Sequence, residues 1–153
     1  MITLDAIHTA DPLEERLSLF KSFASIADGS QDLMLTSLLK SAMVAVGDWH
    51  DVSLLAQTLR LSVTGREKND PVYLYRNAGE ITSVVDGHGL AIGYQRKGSV
   101  LLLDRYTEDV VIEYGTEVYG GNLDRLMPKV CRYATAMYDG EDSEVLNRIL
   151  MER

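Results

Sequence analysis

Gln57-Thr58-Leu59-Arg60-Leu61-Ser62-Val63 is the stretch on which the reading of the whole chain turns. Leu59, Leu61 and Val63 alternate with Arg60, Ser62 and Thr64, the period of two that places apolar side chains on one face of a half-buried strand. Immediately upstream the period is different. From about Gln31 to Val46, the residues Leu35, Leu38, Leu39, Ala42, Met43 and Val46 recur at the spacing of one helical face. Gly47-Asp48 is expected to stop that helix, so the chain passes from helix to sheet between Gly47 and Gln57.

Toward the N-terminus, Asp11-Pro12 opens an earlier helix. Glu14 and Glu15 complement the dipole in its first turn, and Leu13, Leu17, Phe20 and Ala24 follow at helical spacing until Asp28-Gly29-Ser30. Toward the C-terminus, strands are expected at about 72–76, 80–86, 90–95, 99–103 and 109–114. Turn clusters such as Asp86-Gly87-His88-Gly89 and Arg96-Lys97-Gly98 separate them, and such short connections imply antiparallel hairpins. Gly115 to Asn122 reads as a pliable connection. Leu123, Leu126, Met127, Val130, Cys131, Ala134, Met137 and Tyr138 then restore the helical period, with Leu123 to Leu126 as a preceding turn and Pro128 in the first helical turn. A last helix from about Ser143 carries Val145, Leu146, Ile149 and Leu150.

Helices thus flank a run of strands instead of alternating with them, which defines an α+β class. The expected architecture is a small helical bundle, an N-terminal helix pair plus C-terminal helices, with an inserted antiparallel β-sheet. It is read as a single domain over residues 1–153, with helices at about 11–47 and 123–151 and the β insertion at about 57–115.

The chain has 153 residues, 46% hydrophobic and 25% charged, the composition of one globular domain able to bury roughly 70% of its unfolded surface. Its longest apolar run, Leu33 to Val46, is interrupted by Thr36, Ser37, Lys40 and Ser41 and falls short of the roughly 20 residues that span a bilayer. Met1-Ile2-Thr3-Leu4-Asp5 carries no secretion signal, so an intracellular protein with no membrane partner is expected. The lone Cys131 sits among helix-spaced apolar residues, where a thiol acts as a small hydrophobe. A net charge of −8 argues against holding nucleic acid by its phosphates, yet suits a surface past which DNA slides without sticking.

Catalytic chemistry is nearly absent from the sequence. His8, His50 and His88 are far apart and form no spaced ligand motif, so no metal site is expected. Asp28-Gly29-Ser30-Gln31-Asp32 fails as a calcium loop because Leu33 stands where a glycine is required. Gly115, Gly120 and Gly121 match no phosphate-binding fingerprint, no nucleophile elbow occurs, and neither a catalytic residue nor a cofactor is assigned. The densest polar cluster is Asp48-Trp49-His50-Asp51. Asp48, His50 and Asp51 are the only basis for an alternative reading, a small ligand-binding or enzymatic domain with a concave pocket; otherwise they form a solvated loop. A helix-turn-helix reader is a poor second alternative, since its reading helix would have Lys40 as its only basic residue. Tyr73, Tyr75, Tyr94, Tyr106, Tyr114 and Tyr119 cluster in or beside the β region, either as a contact surface or as good strand formers.

Several segments, taken in order, carry a resemblance. They are Met1-Ile2-Thr3-Leu4-Asp5, Asp32 to Ala42, Gln57 to Val63, Ile81-Thr82-Ser83-Val84 with Asp86-Gly87, Val110-Val111-Ile112-Glu113-Tyr114, and Met127-Pro128-Lys129-Val130 opening a helix to Tyr138. Together they resemble the phage head-tail connector (adaptor) family of lambda-like siphophages, which joins an N-terminal helix hairpin to a variable β insertion and a C-terminal helix. The extra segment Leu13 to Ile26 departs from that pattern.

The resemblance implies a non-enzymatic virion or prophage protein that forms a ring of about twelve subunits, whose heterologous contacts close on themselves. Its implied partners are further copies of itself, the portal protein, and a tail or stopper protein. DNA passes through without sequence-specific binding. The implied location is the virion neck, reached from the bacterial host cytoplasm during assembly. The outer faces of the two N-terminal helices and the tyrosine-bearing strands are the expected contact surfaces.

Overall fold

The computed structural model describes residues 1–153 and has the mixed α+β class that the periodicity implies, with four helices and two antiparallel sheets. The chain forms two compact units. One comprises Met1–Thr9 and Ala56–Glu117, the other Ala10–Leu55 and Val118–Arg153, so each is built from separated stretches of sequence.

In the sheet unit, β1 (Ile2–Thr9), β2 (Gln57–Val63), β7 (Val110–Thr116) and β4 (Ala78–Asp86) make one sheet in the order β1-β2-β7-β4. β3 (Val72–Tyr73), β6 (Val100–Leu103) and β5 (Tyr94–Lys97) make a second, in the order β3-β6-β5. The alternation of Leu59 and Leu61 is realised as burial. Leu59 lies opposite Tyr114 and Leu61 opposite Ile112, and these join Val84, Val110 and Leu101 in a core shared by both sheets. Tyr114 is fully buried, and its hydroxyl is satisfied by donating to the Tyr75 carbonyl at 3.0 Å and accepting from the Tyr75 N–H at 3.0 Å. Only such pairing makes a buried phenol tolerable.

Two strand expectations need correction. Ile2–Thr9, where the periodicity marks no element, is a strand paired to β2 from Ile2↔Val63 to Thr9↔Gln57. It is an edge strand with only Leu4 and Thr9 partly buried, so it lacks clean alternation. The strand expected at 90–95 begins only at Tyr94, because Leu90 to Ile92 instead lie against the outer edge of β4. There the Asp86 N–H donates to the Leu90 carbonyl and the Ile92 N–H to the Val84 carbonyl, both at 2.9 Å. The inserted β region is arranged as two antiparallel sheets.

In the helical unit, α1 (Glu14–Phe23), α2 (Asp32–His50), α3 (Gly120–Tyr138) and α4 (Ser143–Met151) enclose a core of Phe20, Leu35, Leu39, Met43, Val46, Leu126, Val130 and Ala134. Each such large apolar residue removed from water contributes about 1.5–3 kcal/mol. Gly47-Asp48 does not stop α2, which runs on to His50. A Cβ on Gly47 would lie 2.6 Å from the Val52 carbonyl oxygen, so this glycine permits the chain to fold back closely. Asp51, left-handed at φ 55°, ends the helix, and the Val52 N–H caps the Gly47 carbonyl at 3.0 Å.

The expected pliable connection is also shorter than proposed. Gly120, Gly121 and Asn122 form the first turn of α3, and Pro128 lies inside the helix, not in its first turn. An interior proline costs roughly 3 kcal/mol. Burial of Leu123 and Leu126 on the N-terminal side of Pro128 offsets it.

The Asp86-Gly87-His88-Gly89 turn is tied by one carboxylate. Asp86 is buried, accepts from Arg105 at 2.7 Å and from the N–H groups of His88 at 2.8 Å and Leu90 at 3.0 Å. The Arg105 hydrogen bond first, and then the Leu90 N–H, lower its pKa from 3.8 to about 2. A depressed carboxyl favours the folded state above the unfolded value and loses that contribution as pH falls through the folded one. Chemical denaturation of Asp86→Asn is therefore expected to show lower stability at pH 7 than wild type, with a smaller further loss between about pH 4 and 2. Equal stability at pH 7 would contradict this role.

Candidate functional site

The polar cluster of the sequence does not become a concave site. Asp48 and His50 lie in the last turn of α2, and Asp51 is its left-handed terminal residue. What the fold brings to His50 is Lys129, midway along α3 and 79 residues away in sequence. The Lys129 ammonium is buried and donates to His50 Nε2 at 3.1 Å, to the Leu150 carbonyl at 3.0 Å and to the Glu152 carbonyl. For Nε2 to accept, the imidazole must be neutral with its proton on Nδ1. Arg132 pairs with the Glu152 carboxylate at 2.6 Å.

This arrangement fastens the ends of α2 and α4 to α3. Burial, then the charges of Lys129 and Arg125, push the His50 pKa below its ordinary 6.5. Burial, then Arg132, likewise lowers Lys129 from 10.5, with Glu152 opposing. A nucleophilic or basic amine needs a free lone pair facing substrate. Here the three protons of the ammonium are each directed at an acceptor, and the cluster is a clamp. No group of three or more His, Cys, Asp or Glu is placed to hold a metal ion.

Two cavities lie in the sheet unit, and neither is lined by Asp48, His50 or Asp51. One, of about 330 Å³, lies between the segment from Arg66 to Asp70 and that from Leu102 to Tyr106. The other, of about 410 Å³, lies among Met1, Ile2, Val63, Tyr73 and Tyr75. Of the tyrosines read as a contact surface, Tyr73, Tyr94, Tyr106 and Tyr119 are exposed, whereas Tyr114 is core and Tyr75 half-buried. On the helices, Leu19, Phe23, Leu33, Met34 and Trp49 are exposed apolar side chains. Scattered apolar residues are ordinary on a surface, but several large ones together mark contact sites. Cys131 is buried, and its thiol pKa is raised by that burial.

No protein-family model and no curated protein matches the sequence. Solved structures do share its fold. The chain is similar to a chain in the neck of an empty gene transfer agent particle computed with C6 symmetry, with a TM-score of 0.65 and 19% identity over 90% of this chain and 84% of that one. It is similar to a chain of the native gene transfer agent virion, with a TM-score of 0.64 and 18% identity over the same shares. A chain in the neck of the native particle computed with C12 symmetry matches with a TM-score of 0.54 and 16% identity over 96% and 97%.

Replacing Lys129 by Met leaves His50 Nε2 and two carbonyls without their donor and is expected to cost about 1–3 kcal/mol in denaturant unfolding. Because the folded-state pKa of His50 is depressed, the unfolded chain takes up the proton first. Stability therefore falls as pH drops below 6.5 toward the lowered folded value. Thermal unfolding between pH 7.5 and 5.5 is expected to show this loss in wild type and a smaller one in His50→Gln, whose amide oxygen can still accept from Lys129.

Proposed function

We propose that this chain is a structural, non-catalytic subunit of the neck of a phage-like particle, a head-tail connector that assembles into a ring below the portal and links the DNA-filled head to the tail. The observation that carries this reading is the likeness, over 90% or more of the chain, to chains of gene transfer agent necks computed with C6 and C12 symmetry. The order of segments that resembles head-tail connectors supports it independently, as does a surface with exposed Tyr73, Tyr94, Tyr106, Leu33 and Phe23.

In this reading the partners are further copies of the chain in a ring of about twelve, the portal on one side, and a tail or stopper protein on the other. The subunit assembles in the bacterial host cytoplasm and resides in the virion neck. The net charge of −8 suits a lumen that DNA must traverse without adhering. No cofactor or metal takes part.

Native mass spectrometry of the chain across a wide concentration range, alone and with portal protein, tests the proposal. The expected result is a closed species of about twelve subunits at high concentration or on portal addition. A monomer under every condition, with no portal binding, would overturn it.

A further inference from the structure

We infer that neighbouring copies in this ring join through strand edges, β5 of one copy extending the first sheet of the next by pairing with its β1. The inference rests on the ring reading and names the contact that builds it.

Two strand edges of the sheet unit stand open. β4 ends the first sheet opposite β1, but its outer side is occupied. Leu90 and Ile92 bond its main chain, and the Arg96 guanidinium donates to the Gly79 carbonyl and, at 2.9 Å, to the Ala78 carbonyl. β3, at one end of the second sheet, is only two residues long. That leaves β1 with eight residues and β5 with four, all four of β5 exposed. They lie on opposite sides of the unit. The Arg96 contacts set β5 beside β4, whereas Val72 and Tyr73 of β3 share a cavity with Met1, Ile2 and Val63 on the β1 side.

Hydrogen bonding fixes which main-chain groups face outward. The Thr64 N–H donates to the Met1 carbonyl at 2.9 Å, and the Met1 nitrogen donates to the Thr64 carbonyl at 2.8 Å. Such reciprocal pairs alternate along an antiparallel ladder, so Thr3 and Asp5 bond to β2, and Ile2, Leu4 and Ala6 turn their N–H and C=O groups outward. On the other side, the Asp104 N–H donates to the Gly93 carbonyl at 2.8 Å. By the same alternation Gln95 and Lys97 bond to β6, and Tyr94 and Arg96 turn outward. Unpaired rows of this kind are templates for a further strand.

The two rows fit one another. With the strands antiparallel, Leu4 opposite Arg96 and Ala6 opposite Tyr94 become hydrogen-bonded pairs, each exchanging both of its main-chain bonds. Asp5 then stands on the same face as Lys97, one diagonal step away and within reach of a lysine side chain. Neither charge is spent inside the chain. Arg60, the cross-strand neighbour of Asp5, pairs with Glu113 at 2.8 Å, and the hairpin 94–103 contains no carboxylate. β1 carries Asp5 and no Lys or Arg, while β5 carries Arg96 and Lys97 and no acid. Two copies of β5 would bring cations together, whereas β5 on β1 brings opposite charges together. A contact between two different edges on opposite sides of a subunit is heterologous, the kind that closes into a ring.

Sedimentation velocity of the full chain, with folding checked by circular dichroism, tests this contact. Ala6→Pro and Tyr94→Pro each delete an outward N–H and leave the inner ladder its bonds. Each variant alone is expected to be monomeric. An equimolar mixture is expected to stop at a dimer, because the first variant keeps its β5 edge and the second its β1 edge. Asp5→Lys and Lys97→Asp, which serve if a proline disturbs its strand, are each expected to raise the half-assembly concentration at least about fivefold at low salt, and the double variant to return it to within about twofold of wild type. Rings that persist in both proline variants would overturn this contact and leave the ring reading intact. A proline mixture that stays monomeric, or a double variant no better than the single ones, would also overturn it. A wild-type chain that assembles neither alone nor with portal would remove both readings.

Discussion

Leu35, Leu39, Met43 and Val46 on α2 have to meet Leu126, Met127, Val130 and Ala134 on α3, although the whole of segment 56–117 lies between them in sequence. That non-local burial is the constraint on which the helical unit depends. Neither helix has a strong local start. α2 and α3 both lack a side-chain cap, and α3 opens on two glycines and contains a proline. Packing of amphipathic faces, not propensity, supplies most helical stability in such cases. The sheet unit in between solves the same problem through β7, which pairs with β2 on one side and β4 on the other and places Ile112 and Tyr114 at the centre of the core.

What the sequence made legible follows from where burial is one-sided. The helical stripe of α2 and the alternation Leu59-Arg60-Leu61 were readable because each element buries one face and wets the other. β1 was not readable, since an edge strand buries too little to impose a pattern. Gly47 and Pro128 read as helix boundaries on local rules, and both were overridden by tertiary contacts that no local window contains, the Val52 carbonyl in one case and the Leu123 and Leu126 burial in the other.

The candidate site divides along the same line. Asp48, His50 and Asp51 were visible as a polar cluster, but their partner was not, because Lys129 sits off the apolar stripe of α3. Its side of the helix, shared with the buried Ala136 seven residues on, is covered only when α4 folds back. A lysine beside a proline carries no sign of burial in the sequence. The contact tyrosines were legible as a group and not individually, since strand alternation decides that Tyr73 faces water and Tyr114 the core.

Whether this chain completes a particle neck, as proposed, is tested by electron microscopy of particles made by a genome from which its coding sequence has been removed. Filled or leaking heads separated from tails are expected, with joined particles restored by supplying the chain in trans. Normal numbers of intact, tailed particles without the chain would contradict it.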